Sequence, residues 1–199
     1  MVEVYNNTSE NCTMDFSPEF ADGKVEIYIS EAKGDINLKI NIITRKAENC
    51  CFVQGTPVWL ADGIKKNIED VVVGDVVLSY NESTKNYEYN KVVNTIINPN
   101  ATNIARVSLV NGTTIEMNEY HPIYTEEGWK SLTNYNDFPT LTENDKILSI
   151  NSEFIEIASI ETWEEKEPIT TYNLSIENNH NYFVGETAVL VHNATSCPT

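Results

Sequence analysis

ARVSLVNGTTIEM, residues 105–117, reads as two strands and the turn between them. Apolar residues alternate with polar ones on both sides of Asn111-Gly112. Asn-Gly accepts positive φ at both central positions, as a two-residue hairpin loop requires. The same pattern spreads in both directions. Upstream lie TPVWL (56–60), ended by Asp62-Gly63, then VVLSYN (76–81) and YEYNKVVNTII (87–97). Downstream follow IYTEEGWKSL (123–132), KILSIN (146–151), FIEIASIETW (154–163), ITTYNLSIEN (169–178), HNYFVG (180–185) and AVLVHN (188–193). IKKNIED (64–70) is expected to form one helical turn. Helical periodicity is otherwise nearly absent, so the expected fold class is all-β.

Residues 1–50 differ from this series. They are acidic, Asn-rich and weakly patterned, with VEIYIS (25–30) and LKINIIT (38–44) as an expected small flanking hairpin. The chain therefore divides into a flanking segment 1–50, a β domain 51–193 and a short tail 194–199. Within the domain, Gly74-Asp75-Val76-Val77-Leu78-Ser79 is echoed by Asn144-Asp145-Lys146-Ile147-Leu148-Ser149. Each opens an apolar strand after a short polar stretch. A pseudo-two-fold β fold built from two related halves would produce this echo.

Composition narrows the partners. The 199 residues carry 13 basic and 30 acidic side chains, a formal net charge of −17. Such a surface repels a phosphate backbone, so neither nucleic acid nor an anionic membrane is an expected partner. No apolar run reaches the roughly 18 residues of a membrane-spanning helix. The first residues, MVEVYNNTSENCTMDF, lack the basic start and apolar stretch of a secretion signal. A fragment of a longer secreted or surface protein remains compatible with this reading. Cys12, Cys50, Cys51 and Cys197 are spaced neither as a disulfide framework nor as a zinc site. No metal or cofactor is expected.

The chemistry concentrates at the two ends of the β domain. The three histidines, His121, His180 and His192, all fall at strand ends within it. In Val189-Leu190-Val191-His192-Asn193-Ala194 an apolar strand delivers a His-Asn pair and stops. The side-chain amide of asparagine can attack its own backbone carbonyl, forming a succinimide and breaking the chain. A neighbouring imidazole accelerates this by protonating the departing amide nitrogen, and a fixed geometry adds to the effect. At the other end stands Cys51-Phe52-Val53-Gln54-Gly55-Thr56-Pro57-Val58. A thiol there can attack the carbonyl of Cys50 and replace the peptide by a thioester. With a free thiol pKa of about 8.5, some thiolate is present near neutral pH. The site must still protonate the leaving amine or strain the bond.

Cys-Phe-x-x-Gly-Thr-x-Val at one end and Leu-Val-His-Asn-Ala at the other resemble the bacterial intein-like domains. Those belong to the Hint superfamily, with the inteins and the Hedgehog autoprocessing domain. Further landmarks follow in family order. IEDVVVGDVVLS (68–79) resembles the family's early strand entry, and His121-Pro122 in MNEYHPIYT resembles its central histidine motif. Gly128-Trp129 and LTENDKIL (141–148) resemble the next block, and TYNLSIENNHNYFV (171–184), with His180, the penultimate one. The resemblance covers residues 51–193. It implies a flattened, pseudo-two-fold β horseshoe whose two ends meet in a central cleft.

It also implies roles. Cys51 would be the N-terminal nucleophile and His121 the general acid for its amine. Asn193 would cyclise, with His192 acting on the scissile peptide and His180 relaying a proton or activating the amide. The partners implied are the flanking segments in cis and water or a small thiol, with the chain a monomer. Two positions depart from the pattern. Asn118 stands three residues before His121, where the family has Thr, although Asn can still hydrogen-bond. Ala194 stands where standard inteins carry Cys, Ser or Thr, so the usual branched intermediate has no nucleophile. Self-cleavage at the ends is accordingly expected ahead of splicing. Two other classes fit parts of the sequence: a non-catalytic β module presenting flanking toxin or surface segments, and a Cys-His hydrolase acting in trans. The latter leaves His192-Asn193 unexplained. A sterol transferase of the Hedgehog kind is disfavoured, because that branch does not use a terminal His-Asn.

Overall fold

The computed structural model describes residues 51–133 and 138–193. The flanking segments 1–50 and 194–199, including the expected hairpin at 25–44, lie outside the described residues.

The domain is almost entirely β-sheet. In chain order its strands are β1 (Phe52–Val53), β2 (Pro57–Trp59), β3 (Lys65–Asn67), β4 (Val76–Asn81), β5 (Asn86–Leu109), β6 (Thr114–Asn118), β7 (Ile123–Thr125), β8 (Gly128–Lys130), β9 (Lys146–Leu148), β10 (Phe154–Ile176), β11 (Asn181–Val184) and β12 (Val189–His192). They join in one 12-stranded sheet in the order β3-β2-β11-β12-β7-β9-β10-β1-β6-β5-β4, with β8 paired to β7. The turn between β5 and β6 is the one that Asn111-Gly112 announces. It spans residues 110–113 rather than two, and of its central pair only Gly112 takes a positive φ, +85°, where a side chain would be strained. The expected helical turn at 64–70 is shorter than its pattern. Lys65–Asn67 pairs with β2, and only Ile68–Asp70 forms a single 3-10 turn.

Two expected pairs of short strands are in fact single long ones. YEYNKVVNTII and ARVSLV are parts of the 24-residue β5, and FIEIASIETW and ITTYNLSIEN of the 23-residue β10. The stretches that separate these segments hold Pro99 and Pro168, and proline cannot donate to a ladder. The strands run on because they pair with each other from Ile157↔Leu109 to Ile176↔Val92, with register shifts where the prolines fall.

The internal echo is a structural repeat. Asp75 and Asp145 each cap a turn by accepting the amide N–H three residues back, from Val72 at 2.9 Å and Thr142 at 2.8 Å. Each also receives a lysine, Lys66 at 2.8 Å and Lys130 at 2.6 Å. Burial alone would raise both carboxyls, but these hydrogen bonds outweigh it and hold them below the usual carboxylate range. Each aspartate then opens a strand that feeds a long one, β4 into β5 and β9 into β10. Val77 and Ile147 enter the main core, and Leu78 and Leu148 a smaller one. The main core includes Phe52, Val58, Ile115, Met117, Leu174, Tyr182 and Val191. β11 is buried at every position, so its run Asn-Tyr-Phe-Val shows no alternation.

Candidate functional site

Cys51 lies just ahead of β1, which is threaded between β6 and β10 by the pairs Phe52↔Met117 and Phe52↔Tyr172. The pairing leaves Cys51 buried, with no exposed surface. Asn118, the last residue of β6, holds both sides of the Cys51 backbone. Its main-chain N–H donates to the Cys51 carbonyl at 2.9 Å, and its side-chain Oδ1 accepts the Cys51 N–H at 3.2 Å. That N–H belongs to the peptide bond between Cys50 and Cys51. A turn closed by the His121 N–H on the Asn118 carbonyl, 3.2 Å, carries the chain to His121. The His121 imidazole is fully buried and packs on the Phe52 ring, 4.0 Å between centroids. The central histidine thus lies against the residue next to Cys51.

The opposite end is gripped as closely. The Asn193 N–H donates to the His180 carbonyl at 2.8 Å, and its Nδ2 donates to the Ile176 carbonyl at 3.1 Å. Asn193 is buried, and its Oδ1 has no hydrogen-bond partner among the described residues. His192 Nδ1 lies 2.6 Å from the Asn193 carbonyl oxygen. A carbonyl oxygen only accepts, so Nδ1 carries the proton. That carbonyl belongs to the bond between Asn193 and Ala194. Burial pushes the His192 imidazole below its ordinary pKa. The neighbouring His180 adds to the lowering, while the Asn193 hydrogen bond and the Glu82 charge oppose it. His180 enters through its main chain. Its φ of +55°, with Asn178 at +59°, bends the loop before β11 so that its carbonyl meets Asn193, and its side chain is exposed.

The two ends share supports. The Pro122 carbonyl, next to His121, accepts the His192 N–H at 3.2 Å, and β7 pairs with β12 at Ile123↔Val191. β10 serves both ends as well, since Tyr172 pairs with Phe52 and Ile176 holds Asn193. At about 3.3 Å per residue, those positions on one strand are ~13 Å apart. Sequence reasoning missed Asn173, between them on β10. It is fully buried, and its Oδ1 accepts the Tyr182 hydroxyl at 2.7 Å. It missed Asn181 too, whose side chain bonds Ser79 and both polar backbone atoms of Tyr80, each at 2.9 Å. Asparagine in an Asn-rich chain carries no signal of its own. Among the described residues, no group of three or more His, Cys, Asp or Glu is arranged to hold a metal ion.

Comparison with known proteins places this arrangement. A family model described as the pretoxin HINT domain matches residues 58–194, beginning after Cys51 and ending just past Asn193. The solution structure of a bacterial intein-like domain from Clostridium thermocellum is similar at 26% identity and a TM-score of 0.64, covering 72% of this chain and 98% of that one. A DnaB intein from Synechocystis sp. PCC 6803 shares the fold at 21% identity and a TM-score of 0.61, covering 73% of this chain and 99% of that one. Among curated protein sequences, none matches this chain.

Proposed function

From a chain that belongs to the pretoxin HINT domain family, we propose self-processing by two backbone cleavages, one before Cys51 and one after Asn193. The observation that carries this reading is the pair of clasps on the two bonds to be cut. Asn118 Oδ1 lies on the amide nitrogen of one, and His192 Nδ1 on the carbonyl oxygen of the other.

At the N-terminal bond, Cys51 Sγ attacks the Cys50 carbonyl carbon. The C–N bond breaks, the Cys51 nitrogen takes a proton, and residues 1–50 pass to the sulfur as a thioester. Asn118 keeps the departing nitrogen in place, and His121 supplies its proton as general acid. Water or a small thiol then attacks the thioester and releases residues 1–50. At the C-terminal bond, Asn193 Nδ2 attacks the Asn193 carbonyl carbon. The Ile176 carbonyl orients Nδ2, and the His192 N–H stabilises the charge that develops on the carbonyl oxygen. The Ala194 nitrogen leaves with a proton, and Asn193 remains as a succinimide. The His180 carbonyl anchors the Asn193 main chain, and the His180 imidazole would relay the proton or activate the amide. Ala194 has neither hydroxyl nor thiol, so joining residues 1–50 to the tail requires direct attack of its freed amine on the thioester, a minor route.

The test is intact-mass analysis of the full chain with and without dithiothreitol. Release after Cys50 should disappear in Cys51→Ala and release after Asn193 in Asn193→Ala. A wild-type chain that stays whole through prolonged incubation with thiol refutes the reading.

A further inference from the structure

The His192 ring acts through one atom. A rotation of half a turn about χ2 would carry Nδ1 away from the Asn193 carbonyl and bring up a carbon that cannot donate. The terminal torsion of histidine is broad and close to two-fold, so the backbone of β12 does not choose between the two faces. The Nδ1 hydrogen bond favours one face, and packing from outside β12 can hold the ring there.

Trp129, on β8, stands in that place. Its ring lies 5.0 Å from the His192 ring, with the planes 81° apart. The indole is itself held from two directions. Its N–H donates to Glu82 in the β4–β5 turn at 3.0 Å, and Tyr124 of β7 packs edge-on at 4.9 Å. Phe138 adds a second ring 6.1 Å from His192. Among the described residues β8 pairs with β7 only, and Trp129 is half-buried against the smaller core.

We propose that Trp129 is a positioning residue for Asn193 cyclisation: its indole, tied to Glu82 and Tyr124, keeps the His192 ring turned with Nδ1 toward the Asn193 carbonyl. This rests on the reading of Asn193 as a cleavage site. Among the described residues, the charged and titratable groups around the ring are Glu82 from the β4–β5 turn and His180 from the loop before β11, with Lys85 reaching the Tyr124 hydroxyl.

The experiment follows both cleavages by intact mass in the full-length chain, across pH, for Trp129→Ala, Trp129→Phe and Glu82→Gln. Trp129→Ala should slow release after Asn193 by about threefold to tenfold, the range that one aromatic pair commands. Trp129→Phe should restore most of the rate, and thiol-dependent release after Cys50 should be unchanged. The pH midpoint of the Asn193 reaction should rise in Trp129→Ala, because water reaches the ring. It should fall in Glu82→Gln, which removes a charge that favours the imidazolium. Equal slowing of both cleavages, or an unchanged Asn193 rate and midpoint in Trp129→Ala, overturns the proposal. If the wild type does not cleave after Asn193, the self-cleavage reading fails by itself. Nitrogen-15 NMR of the imidazole then decides the positioning claim. Loss of a single Nδ1–H form in Trp129→Ala supports it, and retention overturns it.

Discussion

Replacing Asn118 by alanine removes the side-chain oxygen that accepts the N–H of the Cys50–Cys51 bond, while leaving the β6 backbone to hold the Cys51 carbonyl. The size of the effect follows from when the hydrogen bond is strongest. At 3.2 Å it is a long bond between neutral partners, with a net value of about 1 kcal/mol. If it stayed that strong throughout, its loss would not change the rate of the chemical step. During the acyl shift, however, the nitrogen gains a proton and positive charge. A hydrogen bond from a charged donor is roughly twice as strong as a neutral one. The difference, about 1 kcal/mol, corresponds to about a fivefold loss of rate. Threonine at 118 offers a shorter acceptor and should recover part of it. The assay is the rate of dithiothreitol-dependent release after Cys50, with release after Asn193 in the same tube as the control for folding. If Asn118→Ala releases residues 1–50 at the wild-type rate while C-terminal release is also unchanged, the side chain does not act on the scissile nitrogen.

Acid should favour the other cleavage. The imidazolium is a stronger donor to the Asn193 carbonyl than neutral imidazole, so release after Asn193 should quicken as pH falls, with a midpoint below the ordinary histidine value of about 6.5. His192→Gln should remove that dependence, and an unchanged profile in this variant would count against the role. The same depressed pKa has a linkage cost. The unfolded chain takes up this proton first, so stability present in full above about pH 6.5 is partly lost as pH falls through the folded pKa. A urea midpoint measured across pH should show that loss flattened in His192→Gln. Lys130→Met should destabilise the domain by about 2 kcal/mol, because it leaves the Asp145 carboxylate, 9% exposed, without its 2.6 Å partner. Equilibrium urea unfolding measures this. Asp145 also has a depressed pKa, so its contribution is present above the ordinary carboxylate range and disappears as pH falls through the folded value.

The fold was legible where physics is local. A turn falls at Asn111-Gly112, with Gly112 at positive φ, and the alternating segments on each side are strands. The long strands were not legible, because Pro99 and Pro168 are tolerated only through cross-strand register shifts that no local pattern reveals. At the site, Cys51, His121, His180, His192 and Asn193 could be named from a family resemblance, and they lie at or beside the ends of strands of one sheet. What resemblance could not supply is which atom meets which. Asn118 looked like a departure from the pattern, yet its two polar groups close on both sides of one residue. His180 looked like a side chain, yet its carbonyl makes the contact with Asn193. Trp129 looked like a block landmark. Its ring meets His192 from a different strand, a contact that sequence spacing does not encode.

Separate chemistry at the two ends need not mean separate behaviour. Each bond has its own clasp, Asn118 on the Cys51 nitrogen and His192 on the Asn193 carbonyl. In the proposed mechanism neither clasp needs the other for its reaction. Both nevertheless depend on β10, which pairs with β1 beside Cys51 and binds Asn193 through Ile176, and on the His121-Pro122 turn, which meets His192 through the Pro122 carbonyl. A substitution in a clasp should therefore slow one cleavage and spare the other. A substitution in the shared support should slow both. Pro122 is the informative case, since its ring restrains the turn while its carbonyl makes the contact. Pro122→Ala keeps the carbonyl and loosens the turn, and should slow release at both ends together. Slowing at one end alone would mean that the turn serves a single bond and that the ends are mechanically independent.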